Sequence, residues 1–127
     1  MTNWTGPISA ITLFAEDLET TKRFYVEVFG LPVHYEDDAS AVFQLPNTLI
    51  NLLDAREAPV LIEPVPVASP DAGARIQLTI TVDDVDATCR LLAERGVTLV
   101  NGPIDRPWGI RTAAFRDPAG HVWEIAH

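Results

Sequence analysis

Apolar and polar residues recur in the same order twice along the chain. The first stretch, ISAITLFAEDLETTKRFYVEVFGLPV, opens with Ile11, Leu13 and Ala15 at every second position, the period of a strand with one buried face. The second, RIQLTITVDDVDATCRLLAERGVTLV, opens the same way with Leu78, Ile80 and Val82. An acidic turn follows in each, at Asp17 and at Asp84, where a carboxylate accepts hydrogen bonds from the free amides of a helix start. The period then changes to the helical one. Leu18, Phe24, Tyr25 and Val28 in one copy, and Val85, Cys89 and Leu92 in the other, predict helices with a single apolar stripe. Gly30 and Gly96 end them, because glycine takes the left-handed conformation of a helix cap at little cost.

Extended segments come after each helix: VHYE, AVFQL and LINLL in the first copy, and TLVN, RTAAF and HVWEIA in the second. Asp117-Pro118-Ala119-Gly120 joins the last two as a tight turn. Between the copies lies APVLIEPVPVASPDAGA, in which Pro59, Pro64, Pro66 and Pro70 forbid a continuous helix and interrupt strand pairing. The chain of 127 residues therefore divides into module one (about 7–55), a connector (about 56–74) and module two (about 75–127), all within one domain. That length buries a core without help from a disulfide or structural metal.

Three segments, LFAEDLETTKRFYVEVFGLPV, TVDDVDATCRLLAERGV and PWGIRTAAFRDPAGHVWEI, together resemble the vicinal oxygen chelate superfamily, which contains glyoxalase I, bleomycin-resistance proteins and extradiol dioxygenases. The resemblance covers most of the chain. It implies an α+β fold of two tandem βαβββ modules forming a curled mixed sheet around an open cleft, with helices outside, and often a homodimer. Members of the family include metal enzymes, drug-sequestering proteins and bare binding modules, so the fold leaves function open. The metal enzymes take ligands from the first and last strand of each module. Those positions fall here on Ala10, Asn51, Gln77 and Glu124. A methyl group binds no metal, Gln77 offers only a neutral carbonyl oxygen, Asn51 is a poor third donor, and Glu124 alone carries charge.

Strand alternation gives the same placement independently. If Leu78 and Ile80 face the helix, Gln77, Thr79 and Thr81 face the cleft. If Trp123 and Ile125 pack inward, Val122, Glu124 and Ala126 face the cleft beside them. In module one Ala10, Thr12 and Phe14 form a more apolar wall. A metal enzyme generally needs three protein ligands and an open position, or two His and one carboxylate for oxygenase iron. Alternation puts His121 with Trp123, His127 is terminal, and His34 lies on a second strand, so none of the three completes such a set. No metal cofactor is expected; the alternative is a divalent ion on Glu124, Gln77 and Asn51.

Other side chains are candidates for ligand contact, each with a plainer reading beside it. Trp108, in RPWGI, stacks on a flat ligand or packs over the hairpin. Phe14, Phe43 and Tyr35 line the pocket or belong to the core. Arg111 meets a ligand carboxylate or pairs with a surface acid. Cys89, on the apolar stripe of its helix, reads as a structural thiol. The acidic runs EDLE and VDDVD start helices, and YEDD ends in a turn.

The formal net charge of −9 disfavours nucleic acid and anionic membrane surfaces. No apolar run is long enough to span a bilayer, and MTNWTGPISA lacks the regions of a signal peptide, so a cytoplasmic location is expected. The expected function is metal-independent binding of a small organic ligand, aromatic or cationic, by a homodimer, with Glu124 as hydrogen-bond or proton acceptor. The alternative is a lyase, isomerase or dioxygenase with a metal on Glu124 and Gln77.

Overall fold

The alternating apolar positions of each copy become the first strand of a sheet in the computed structural model, which describes residues 3–127. In module one β1 (Ala10–Ala15) leads into α1 (Leu18–Glu27), followed by β2 (Tyr35–Glu36), β3 (Ser40–Gln44) and β4 (Leu49–Asp54). The connector carries α2 (Ala58–Ile62). In module two β5 (Gln77–Thr81) leads into α3 (Val85–Glu94), then β6 (Asn101–Asp105), β7 (Arg111–Arg116) and β8 (Val122–Ala126). Each module is an open four-stranded mixed sheet, ordered β1-β4-β3-β2 and β5-β8-β7-β6. The first and last strands of each module pair in parallel.

Local chemistry explains the boundaries. Asp17 and Asp84 cap their helices by accepting from the amides of Thr20 and Ala87. Gly30 and Gly96 take the positive φ that follows a helix end. The connector differs from expectation in holding a short helix. Pro59 sits in its first turn, where a missing N–H costs nothing, so one proline starts α2 although the series forbids a longer helix. The β6 strand also begins at Asn101, later than TLVN suggests. His127, expected only as a terminal residue, accepts the Val85 amide on Nδ1 at 2.9 Å and so helps start α3.

Both sheets turn their apolar faces to one core. Leu13, Phe43, Ile50 and Leu52 enter it from module one, and Phe115, Trp123 and Ile125 from module two. Helix α1 serves both: the Tyr25 ring lies 5.6 Å from Phe43 and 6.2 Å from Trp123, and Phe29 lies 5.0 Å from Trp123. No helix of the described residues is long and apolar enough to cross a membrane.

Two polar clamps reinforce the union. Within the core, the Tyr25 hydroxyl donates to Asp117 Oδ2 at 2.6 Å and accepts from the Trp123 indole at 2.9 Å. Asp117 Oδ1 accepts the Ala119 and His121 amides, each at 2.9 Å, and Oδ2 also meets His121 Nδ1 at 2.9 Å. Burial, then the neighbouring Asp117 charge, pushes the Tyr25 pKa far above its ordinary value, so the phenol remains a donor. Nearer the surface, Arg75 donates to both carboxylate oxygens of Glu16 and to the carbonyls of Ala68 and Ala119. One guanidinium thus ties module one, the connector and the final turn. Removing a hydroxyl from a buried carboxylate leaves desolvated charge with less compensation. Tyr25→Phe is therefore expected to lower unfolding free energy by about 1–3 kcal/mol in urea titrations, and a change under about 0.5 kcal/mol would deny the clamp a role.

Candidate functional site

The faces of the two sheets turned away from the core repeat one polar row. In module one Thr12, Asn51 and Val42 are register partners across β1, β4 and β3. In module two the row is Thr79, Glu124 and Ala114 across β5, β8 and β7. Each row contains a hydrogen bond between its first two members. Asn51 Nδ2 donates to Thr12 Oγ1 at 3.3 Å, and Thr79 Oγ1 donates to Glu124 Oε1 at 3.0 Å. Glu124 is half-buried, so its carboxylate keeps one satisfied oxygen and another free to accept. Gln77 stands one row away beside Val122 and is exposed.

Arg106, which the sequence reading did not single out, belongs near this face. Its Nε donates to Thr112 Oγ1 at 2.8 Å, and Thr112 lies diagonally from Glu124 on the sheet. The Trp108 ring is 6.0 Å from the Arg106 guanidinium and 69% exposed, in the turn closed by the Gly109 amide on the Arg106 carbonyl. The pair makes an open aromatic and cationic rim at the β6–β7 hairpin. Its sequence signal was the Arg-Pro-Trp-Gly run itself, with an arginine two positions from an exposed tryptophan. Gly102 helps hold this hairpin close. A Cβ there would fall 2.5 Å from the Thr112 carbonyl oxygen, and its φ is +86°.

Two candidates leave the ligand wall. Phe43 is fully buried on the helix-facing side, because Ala41 and Phe43 alternate inward and Val42 outward. Arg111 lies on the same side as Ala113 and Phe115. It makes a bidentate pair with Asp86 on α3, both distances 2.9 Å, and reaches Asp105 at 3.0 Å. That resolves its two readings toward the acid pair. Tyr35 is exposed and donates to Asp37. Phe14 lines, together with Thr12, a mainly apolar cavity beneath the connector.

The four ligand positions implied by the resemblance do not fit a catalytic metal. Ala10 supplies no donor, Gln77 and Asn51 are neutral amides, and Asn51 and Glu124 already bond to their row partners. Among the described residues no three His, Cys, Asp or Glu side chains converge. Burial pushes the Cys89 thiol pKa upward, away from the thiolate a nucleophile requires. A concavity of about 550 Å³ is lined mainly by charged side chains, most of them with structural partners. Asp17 caps α1, Asp37 closes its turn, Lys22 meets Glu19 and Glu36, and Arg56 meets Asp54.

Arg111 affects stability through charge. Its hydrogen bonds hold the Asp86 carboxyl below the usual carboxylate range. A depressed folded pKa stabilises fully above the unfolded value of about 4, and the contribution disappears as pH falls through the folded value. Arg111→Met is expected to melt below the parent at neutral pH, with the gap narrowing below pH of about 4. An unchanging gap in thermal melts across that range would assign the effect to packing.

The sequence matches the model of the Glyoxalase/Bleomycin resistance protein/Dioxygenase superfamily over residues 8–125. It is 34% identical over 119 residues to an uncharacterized protein of Bacillus subtilis, YraH, covering 91% of this chain and 93% of that one. A glyoxalase/bleomycin resistance protein/dioxygenase from Nocardioides has a similar structure, with TM-score 0.88, 26% identity and coverage of 98% of this chain and 85% of that chain. TnmS3, an antibiotic binding protein from a Streptomyces species, has TM-score 0.73 and 27% identity over 98% of this chain and 97% of its own.

Proposed function

The chain belongs to the Glyoxalase/Bleomycin resistance protein/Dioxygenase superfamily, and from that premise we propose that it binds a small organic ligand without a catalytic metal. The observation carrying this reading is the unequal pair of polar rows. A methyl group and a neutral amide occupy the ligand positions of module one, while one bound carboxylate remains in module two. Such a set can position a molecule but lacks the three donors that a catalytic ion generally requires. TnmS3, described as an antibiotic binding protein, is a relative in fold for which binding is the stated property.

In this reading Glu124 accepts a ligand N–H or cation, Gln77 and Asn51 extend the polar rows, and Trp108 offers a ring to a flat ligand. An aromatic amine meets both demands. The protein acts as a homodimer, a reading supported by the exposed apolar side chains Trp4, Ile8, Val60 and Leu61. Light scattering tests that part, with a monomer mass at micromolar protein as the contrary result.

Elemental mass spectrometry on untagged protein purified without chelator tests the central point, with Glu124→Gln alongside. The expected result is metal far below stoichiometry in both, together with saturable binding of aromatic amines that weakens about tenfold or more in Glu124→Gln, as for a charge-assisted hydrogen bond. Near-stoichiometric Mn, Fe, Ni or Zn that vanishes in the variant would replace this reading with a metal enzyme.

A further inference from the structure

A separate cavity of about 290 Å³ lies where both modules and the connector meet. Phe14 of β1, Ile62, Val65 and Val67 of the connector, and Ile76 just before β5 form its mainly apolar walls. Glu124, Asn51 and Gln77 do not line it, although Thr12, which accepts a hydrogen bond from Asn51, does. His121, only 3% exposed, lines it too.

The bonding of His121 determines what it presents. Its Nδ1 lies 2.9 Å from Asp117 Oδ2, which also accepts the Tyr25 hydroxyl, while Oδ1 accepts two backbone amides. Asp117 accepts in its three other contacts, which matches Nδ1 as the donor in this one. In the tautomer that donates from Nδ1, the lone pair of the ring stands on Nε2. That nitrogen has no hydrogen-bond partner among the described residues. Among the described residues no buried side-chain nitrogen or oxygen is sealed off without a partner, so Nε2 is not sealed from open space. The buried hydrogen-bond chain from Trp123 through Tyr25 and Asp117 ends in an unused acceptor in a cavity.

The surroundings select the ligand's charge. Arg75 also lines the cavity, but its guanidinium is paired with both carboxylate oxygens of Glu16 and with two carbonyls. It leaves no uncompensated positive charge for an anion. A cation would lose water against the apolar walls without a free carboxylate in exchange, since all four Asp117 contacts are already made. A neutral apolar body with one donor fits both constraints. Apolar cavities of about 150 Å³ hold benzene, so one or two rings fit here.

We propose that this cavity is a second ligand site, for a neutral hydroxylated ring of the phenol class, with the hydroxyl donating to His121 Nε2 and the ring lying between Phe14 and the connector. Glu124 does not line it, so a change at Glu124 probes one site without the other.

The probes are phenol and toluene, which differ by the hydroxyl, titrated into protein carrying 15N-histidine. Long-range 1H–15N correlation spectra follow both ring nitrogens of His121. Phenol is expected to saturate and to move Nε2 while Nδ1 stays protonated, and toluene to bind about five-fold or more weakly, the size of one net hydrogen bond. Val67→Trp, on the half-buried connector, fills the cavity and leaves the Asp117 contacts intact; it is expected to abolish the phenol response. Glu124→Gln is expected to leave that response unchanged. The site is refuted by an absent or non-saturating His121 response to phenol, by equal affinity for toluene, by a response surviving in folded Val67→Trp, or by one lost in Glu124→Gln.

Discussion

A buried carboxylate dictates how the two halves of this molecule meet. Asp117 is almost fully enclosed and accepts four hydrogen bonds, one from the Tyr25 hydroxyl of the other module. Enclosed charge without such partners would cost several kcal/mol, on the order of the whole net stability of a domain. The turn between β7 and β8 must therefore present its acid to α1, and α1 must lie where Tyr25 reaches both sheets. The aromatic packing around Tyr25, Phe29 and Trp123 follows from that meeting. Arg75 fixes the same junction from outside.

The internal repeat made much of this legible. The two helix caps and the outward direction of Glu124 follow from acidic turns, periods of two and helical spacing. What the pattern left open was the direction of side chains in apolar runs and the partner of each charge. AVFQL reads equally well with Val42 or Phe43 inward; packing on Tyr25 decides for Phe43. Arg111 shares its parity with Ala113 and Phe115, a clue that it points to α3, but its acid lies on a distant segment. His121 was correctly placed with Trp123, yet its free nitrogen depends on Tyr25 and Asp117, which only the folded chain brings together.

The polar rows repeat one geometry with different chemistry. Thr12 and Thr79 hold equivalent places, as do Asn51 and Glu124. In one row the amide donates to the threonine; in the other the threonine donates to the acid. Reversing the direction of that bond leaves the sheet geometry alone while making one row neutral and the other anionic. A neutral row and an anionic row differ in the ligand groups they attract, by electrostatics as well as shape.

The hydroxyl of Tyr25 and the carboxylate of Asp117 are 92 positions apart in the chain. The junction they make does not pass through the connector, which touches it chiefly at Ala68 through Arg75. Covalent continuity is thus a convenience of delivery rather than the source of cohesion. Two separate peptides, each bearing one module, would still carry between them both halves of that buried junction.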